Sequence, residues 1–207
     1  FDDRDDVSIP VSKPPYSISL DSNPEAASQV IRYQFSSLIT PDSVFEYDTV
    51  SGQSTLLKQD QIEGHYDPSL YRSSRLSFAA RDGAQVPVSM LYRKDRYQKG
   101  TNPAYLYAYG AYGSSSPPYF RKSIFSLIDR GFVFAIIHVR GGQEMGRHWY
   151  EQGRLLNKKN TFNDFIDGTR YLADNNYIAA DRAFASGGSA GGLLMGVIAN
   201  QAPELYR

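Results

Sequence analysis

The sequence predicts an α/β fold, and three observations support that prediction. A continuous apolar run at residues 132–139 is typical of a strand buried in the middle of a parallel sheet. A helical pattern of apolar residues begins near Thr161, and a second short apolar strand at residues 183–187 leads directly into an apolar helix. Strands that alternate with helices indicate a sheet that is covered by helices on its faces.

The elements of this sheet follow one another from residue 71 onward. Apolar runs flank the turn Arg81-Asp82-Gly83, which indicates a hairpin, and the helix that starts at Thr161 presents Phe162, Phe165, Ile166, Thr169 and Leu172 at helical spacing. The predicted strands are residues 76–80, 86–92, 104–109, 132–139 and 183–187, and the predicted helices lie at 125–128, from Thr161, and after Ser189.

A different organisation is predicted before this region. Residues 30–38, 43–48 and 54–58 form three strands separated by turn residues, as in an antiparallel meander. The meander matches either one blade of a larger all-β array or a small independent β unit. We therefore divide the chain into a first domain at residues 1–63 and a second at residues 64–207.

The segment around Ser189 predicts a nucleophile. Gly187-Gly188-Ser189-Ala190-Gly191 fits the pattern G-x-S-x-G, in which a sharp strand-to-helix turn exposes a serine hydroxyl. The free backbone N–H of Ala190 at the helix start is the natural donor to a developing oxyanion. With the elbow at the fifth predicted strand, the order of elements matches the first half of an α/β-hydrolase core.

Composition excludes several other functions. The 207 residues carry 22 basic and 22 acidic side chains, so a nucleic-acid partner is not expected, and no apolar run is long enough to predict a membrane partner. The absence of cysteine excludes disulfides and thiol catalysis and fits the cytoplasm. Neither a dinucleotide fingerprint nor a P-loop is present, and the three histidines lack ligand spacing, so we expect no cofactor and no metal.

Four motifs together resemble the prolyl oligopeptidase family, and within it the oligopeptidase B branch. They are Tyr-Ala-Tyr-Gly-Ala-Tyr-Gly at 107–113, His-Val-Arg-Gly-Gly-Gln-Glu-Met-Gly at 138–146, Lys-Lys-Asn-Thr-Phe-Asn-Asp-Phe at 158–165 and Gly-Gly-Ser-Ala-Gly-Gly at 187–192. The likeness extends upstream to residues 32–42, which resemble the last blade of a β-propeller, and to residues 80–83, which resemble the opening of the hydrolase domain.

The resemblance implies roles for four residues. Ser189 is the nucleophile, Ala190 supplies the backbone oxyanion donor, Tyr109 supplies a second donor through its hydroxyl, and Tyr112 lines the substrate cleft. The implied activity is a serine endopeptidase that cleaves short peptides after Lys or Arg. The alternatives are a proline-specific oligopeptidase, an acylaminoacyl peptidase, or a non-catalytic hydrolase-like binding protein.

One departure from the family is large. The acid and the histidine of the family's triad follow the serine at a distance that would place them beyond Arg207, and the chain begins at Phe1. We therefore expect a piece of a longer polypeptide, whose remainder is a partner of this chain. Of the histidines present, His138 is predicted to be a buried strand residue, and neither His65 at the domain junction nor His148 after a loop is expected to be the base.

Overall fold

The first sheet of the structure is formed by four antiparallel strands in the order β1-β2-β3-β4. The computed structural model describes residues 8–11 and 15–207. The strands are β1 (Tyr16–Leu20), β2 (Val30–Ser37), β3 (Ser43–Asp48) and β4 (Gln53–Gln59). The last three confirm the predicted meander, and β1 is an additional strand at one edge.

The first sheet has a small aromatic core. Tyr33, Phe35 and Tyr47 are buried on one face, and the rings of Tyr33 and Phe45 stack with centroids 5.3 Å apart. In contrast, β4 is exposed along its whole length. The predicted boundary at 63/64 lies between β4 and the next strand and stays a prediction, and residues 1–7 and 12–14 of the predicted first domain lie outside the described residues.

The second sheet has five strands in the order β5-β6-β8-β7-β9. It contains β5 (Tyr71–Ala79), β6 (Gln85–Arg93), β7 (Ala104–Tyr107), β8 (Val133–Ile137) and β9 (Ala183–Ser186). The hairpin β5–β6 is antiparallel and pairs antiparallel with β8, whereas β7 runs parallel to both β8 and β9. The elbow strand is the fifth strand of this sheet, as predicted.

Two strands are shorter than their apolar runs predict. All five residues of β8 are buried, but His138 and Val139 lie beyond the ladder while remaining buried. Likewise β7 ends at Tyr107, and the backbone turns at Gly110, where φ is 68°. Burial therefore extends further along the chain than strand pairing does.

Helices cover both faces of the second sheet. They are α1 (Phe125–Ile128), α2 (Arg147–Glu151), α3 (Lys159–Asp174) and α4 (Ala190–Gln201). The predicted face of α3 is confirmed, because all five of its predicted positions are buried. The four apolar side chains among them pack with Leu194 and Ile198 of α4 in the largest apolar cluster, whereas Phe125 and Ile128 of α1 belong to a separate cluster. The α/β fold with helices on both faces is confirmed.

The two sheets are joined through the α1 side of the second sheet. Leu38, which follows β2, is 2% exposed and packs with Leu91, Phe120 and Phe125. The backbone N–H of Phe120 also donates to Ser36 Oγ at 2.9 Å. Within residues 8–11 and 15–207, the structure contains no helix that is both long and apolar enough to span a bilayer.

Candidate active site

Ser189 lies at the junction between β9 and α4 in a strained backbone conformation. Its φ is 53° and its ψ is −117°, and the residue is exposed. A non-glycine residue held in such a region costs about 1–3 kcal/mol and persists only where the surrounding structure imposes it. This is the geometry of a nucleophile elbow, in which the serine side chain is lifted clear of the sheet.

The glycines around Ser189 are explained by close backbone contacts. A Cβ atom on Gly187 would lie 2.6 Å from the Gly191 carbonyl oxygen and 3.0 Å from that of Ala108. A Cβ atom on Gly191 would lie 2.9 Å from the same Ala108 oxygen. Because Ala108 directly follows β7, these two glycines allow the elbow to pack against the end of the neighbouring strand. Gly188 has open space around its Cβ position.

The two predicted oxyanion donors lie at the same edge of the sheet as Ser189. Ala190 is the first residue of α4, where an α-helix offers its N–H no internal acceptor. Tyr109 follows β7, which is parallel to β9, and the Cβ position of Gly191 is 3.7 Å from Tyr109 Cδ2. The half-buried tyrosine therefore packs over the first turn of α4. The structure brings Ser189, Ala190 and Tyr109 together, and their catalytic roles stay predictions.

A cavity of about 320 Å³ adjoins the elbow through Ala190. Tyr112 lines it and is 78% exposed, with its ring centroid 6.5 Å from that of Tyr109. Among the described residues, four non-glycine residues have positive φ. Two of them, Tyr112 and Leu155, line this cavity, and a third, Ser189, directly precedes Ala190 in its wall. Such strain clusters at functional sites. The remaining lining includes Tyr150, Arg154, Lys158 and Leu193.

His138 is buried, as predicted, but it lies just after β8 and not within a strand, and it forms a polar cluster with Arg75 and Ser89. Its Nε2 atom lies 2.7 Å from Arg75 Nη1 and 2.8 Å from Ser89 Oγ. Because a guanidinium only donates, Nε2 accepts, so the proton of the neutral ring is on Nδ1. Burial lowers the pKa of His138, which keeps the ring neutral.

This cluster has the composition of a Ser–His–Glu triad but not its accessibility. Glu144 Oε1 lies 3.6 Å from His138 Nδ1, which is too long for a hydrogen bond. Ser89 is fully buried and Arg75 occupies the ring nitrogen that a base would use. The cluster is therefore a structural contact between β5, β6 and the loop after β8. His65 and His148 are exposed.

A buried ion pair fixes the loop that follows β8 and was not apparent from the sequence. Arg140 donates through its backbone N–H and Nε to Asp164 Oδ2, each at 2.9 Å, and through Nη2 to Asp164 Oδ1 at 2.6 Å. Its Nη1 donates to Asp82 Oδ2 at 2.6 Å, and this contact lowers the pKa of Asp82. Arg140 lies in the motif at residues 138–146 and Asp164 in the motif at residues 158–165. The sequence does not predict that they pair, because no local pattern links residues 24 positions apart.

Comparison with known proteins places these features in one family. Residues 1–60 match the model described as "Prolyl oligopeptidase, N-terminal beta-propeller domain", and residues 118–207 match "Prolyl oligopeptidase family". Together the two matches cover well over half of the chain. The first sheet thus corresponds to the end of a propeller-type domain and the second to the start of a hydrolase domain.

Individual relatives agree with this assignment. The chain is 50% identical over 193 residues to dipeptidyl aminopeptidase BI of Pseudoxanthomonas mexicana, covering 93% of this chain and 27% of that protein. It is 40% identical over 195 residues to protease 2 of Moraxella lacunata, covering 94% and 28%.

A solved structure shows the same likeness. Oligopeptidase B from Leishmania major superimposes with a TM-score of 0.88 at 35% identity, covering 96% of this chain and 28% of that one. The chain thus spans little more than a quarter of the length of these relatives. With the motifs, the elbow and both domain matches in agreement, the chain belongs to the prolyl oligopeptidase family.

Proposed function

We propose that this chain carries the nucleophile and the oxyanion donors of a serine peptidase that hydrolyses short peptides. The observation that carries the proposal is the exposed, strained Ser189 at the end of β9, with Gly187 and Gly191 packed against the neighbouring strand end. Family membership supports it, because the relatives named above are peptidases or aminopeptidases.

The proposed mechanism proceeds through an acyl-enzyme on Ser189. The serine Oγ attacks the carbonyl carbon of the scissile peptide bond, and its proton passes to a general base. The oxygen of that carbonyl becomes negatively charged and is stabilised by Ala190 N–H and the Tyr109 hydroxyl. The resemblance implies that the histidine base and its acid partner follow Ser189 in the complete protein.

Two substrate classes are open to this site. The resemblance to the oligopeptidase B branch favours cleavage after Lys or Arg. The identity of 50% to a dipeptidyl aminopeptidase favours a second candidate, an exopeptidase that requires a free peptide N-terminus. A panel of fluorogenic peptides with basic or apolar residues before the scissile bond, each with a free and an acetylated N-terminus, separates the two.

The nucleophile is tested in the complete protein with a fluorophosphonate probe. We expect Ser189→Ala to abolish both labelling and peptide hydrolysis, and Ser115→Ala, at an exposed serine of a nearby loop, to retain both. Labelling and turnover that persist in Ser189→Ala would refute the proposal.

The second oxyanion donor is tested by Tyr109→Phe, which removes only a hydroxyl. Loss of one such donor costs about 2.7–4 kcal/mol in the transition state, so we expect kcat to fall by roughly two to three orders of magnitude. KM should change little, because the interaction forms in the transition state. Unchanged turnover on an amide substrate would remove Tyr109 from the site.

The same proposal includes two further expectations. The protein is located in the cytoplasm, and its only partners are short peptides and the rest of its own polypeptide. The absence of cysteine supports the location, because a chain without disulfides needs no oxidising compartment. Cell fractionation with an antibody to the complete protein tests it, and recovery outside the cytoplasm would contradict it.

A further inference from the structure

The turn between Tyr109 and Ser114 holds an unusual backbone. Gly110, Tyr112 and Gly113 have φ values of 68°, 58° and 65°, so three of four consecutive residues are left-handed. The turn contains one backbone hydrogen bond of its own, from Ser114 N–H to the Ala111 carbonyl at 2.9 Å. A turn of this kind depends on contacts from outside to keep a single conformation.

Those contacts come from the loop after β8 and from the start of α3. Gly113 N–H donates to the Gly141 carbonyl at 3.0 Å, and the space for a Cβ atom on Gly110 is filled by Thr161 and Val139. The buried Gly110 carbonyl accepts its hydrogen bond from Lys158 Nζ, which also lies 3.3 Å from Thr161 Oγ1. Among the residues that the structure describes, Lys158 thus provides the one hydrogen bond from a charged side chain to this turn.

Lys158 is placed unusually for a lysine. It is half-buried, and burial lowers the pKa of its ammonium group. Within the described part of the chain it forms no ion pair with a carboxylate, although exposed arginines nearby do, such as Arg147 with Glu151 at 3.0 Å. Holding a cation partly out of water is costly unless its hydrogen bonds are used. The Lys158 ammonium group instead donates a hydrogen bond to the carbonyl of Gly110, the residue after Tyr109.

We propose that Lys158 is a positioning residue, which determines the position of the Tyr109 hydroxyl by holding the Gly110 carbonyl in place. The inference rests on the proposed role of Tyr109 as an oxyanion donor. A donor that must meet an oxygen at hydrogen-bond distance is sensitive to small shifts, because a displacement of about 1 Å costs about 100-fold in rate. Loss of Lys158 leaves the buried carbonyl without a donor and frees the turn that carries both Tyr109 and Tyr112.

The test is a double-mutant cycle in the complete protein, with rates normalised to active sites titrated by a fluorophosphonate. We expect Lys158→Met to lower kcat at least about tenfold with a smaller change in KM. In a Tyr109→Phe background the same change should lower kcat less than about twofold, because the hydroxyl that Lys158 positions is already gone. Lys159→Met, at the exposed neighbouring lysine, is the matched control and should resemble the wild type.

Two other outcomes would refute the positioning role of Lys158. Equal losses of kcat in both backgrounds would mean that Lys158 acts independently of Tyr109, and a lower melting temperature with unchanged kcat per titrated site would mean that it only stabilises the fold. If Lys158→Met does not fold, Lys158→Ala, which also lacks a donor but leaves room for a water molecule at the buried carbonyl, takes its place in the cycle and is read in the same way. Wild-type turnover of Tyr109→Phe alone would instead refute the proposed function of Tyr109, so the two failures are distinguishable.

Discussion

The glycines beside Ser189 differ in what surrounds them, and the difference can be tested. We expect Gly191→Ala to slow fluorophosphonate labelling of Ser189 in the complete protein at least about tenfold, because the added methyl would lie 2.9 Å from the Ala108 carbonyl oxygen. Ala108 directly precedes Tyr109. We therefore expect the added methyl to displace both the elbow around Ser189 and the proposed oxyanion donor Tyr109.

Gly188→Ala is the matched control for this prediction. It adds the same methyl two residues before Ala190, at a position with no atom within 4 Å and no positive φ. We expect labelling at the wild-type rate. Equal effects of the two substitutions would show that the contact with Ala108 does not shape the elbow.

The sequence predicts the strained backbone at Ser189 but not the strained residues that lie near it. The spacing of glycines indicates a tight turn at Ser189 because the motif itself carries that geometry. The positive φ of Tyr112 and Leu155 could not be predicted, since large side chains disfavour that region and only contacts from distant segments impose it. The same holds for Lys158, whose hydrogen bond reaches 48 positions back along the chain.

Among the elements, α3 and the loop after β8 are joined by the buried pair of Asp164 and Arg140. We expect Asp164→Ala to lower the opening free energy of α3 by about 3 kcal/mol, because removal of one partner leaves a buried guanidinium without its main acceptor. Arg140 is 3% exposed, and its remaining contact to Asp82 keeps the loss at the lower end of the usual range. Hydrogen exchange of residues 159–174 in the complete protein measures it.

Asp174→Ala provides the control on the same helix. Asp174 is the exposed last residue of α3, so its loss should leave exchange of the helix interior unchanged. Exchange in Asp164→Ala that matches this control would mean that water replaces the carboxylate, and that the pair does not hold α3.

The elements that were predicted and those that were missed differ in length and in pattern. The apolar period of α3 runs over several turns and identifies its buried face. In contrast, α2 has five residues, too few for a period, and β1 is a five-residue edge strand whose last three residues are exposed. The order of β8 between β6 and β7 is a tertiary outcome that strand patterns do not contain.

In the whole molecule, apolar contacts hold the two sheets together, while other apolar surface stays exposed. The cluster around Leu38 seals the junction between them. On β4 of the first sheet, however, Leu56 and Leu57 are 48% and 47% exposed. At the far edge of the second sheet, β9 has β7 as its one strand neighbour among the described elements, with a single bridge from Ala183 to Tyr206 on its other side. Leu193 of α4, which lines the cavity beside the elbow, is 56% exposed.

We therefore expect the 207-residue chain, expressed by itself, to associate rather than remain a monomer. An unpaired strand edge and exposed leucines both favour contact with another copy, because strand pairing satisfies backbone groups and contact between leucines removes apolar surface from water. Sedimentation velocity should show a mass that rises with concentration. Leu193→Lys should reduce the association if the exposed face of α4 mediates it, and Leu56→Lys if β4 does. A sharp cooperative melt together with a monomeric mass at every concentration would show that neither surface is sufficient to drive association.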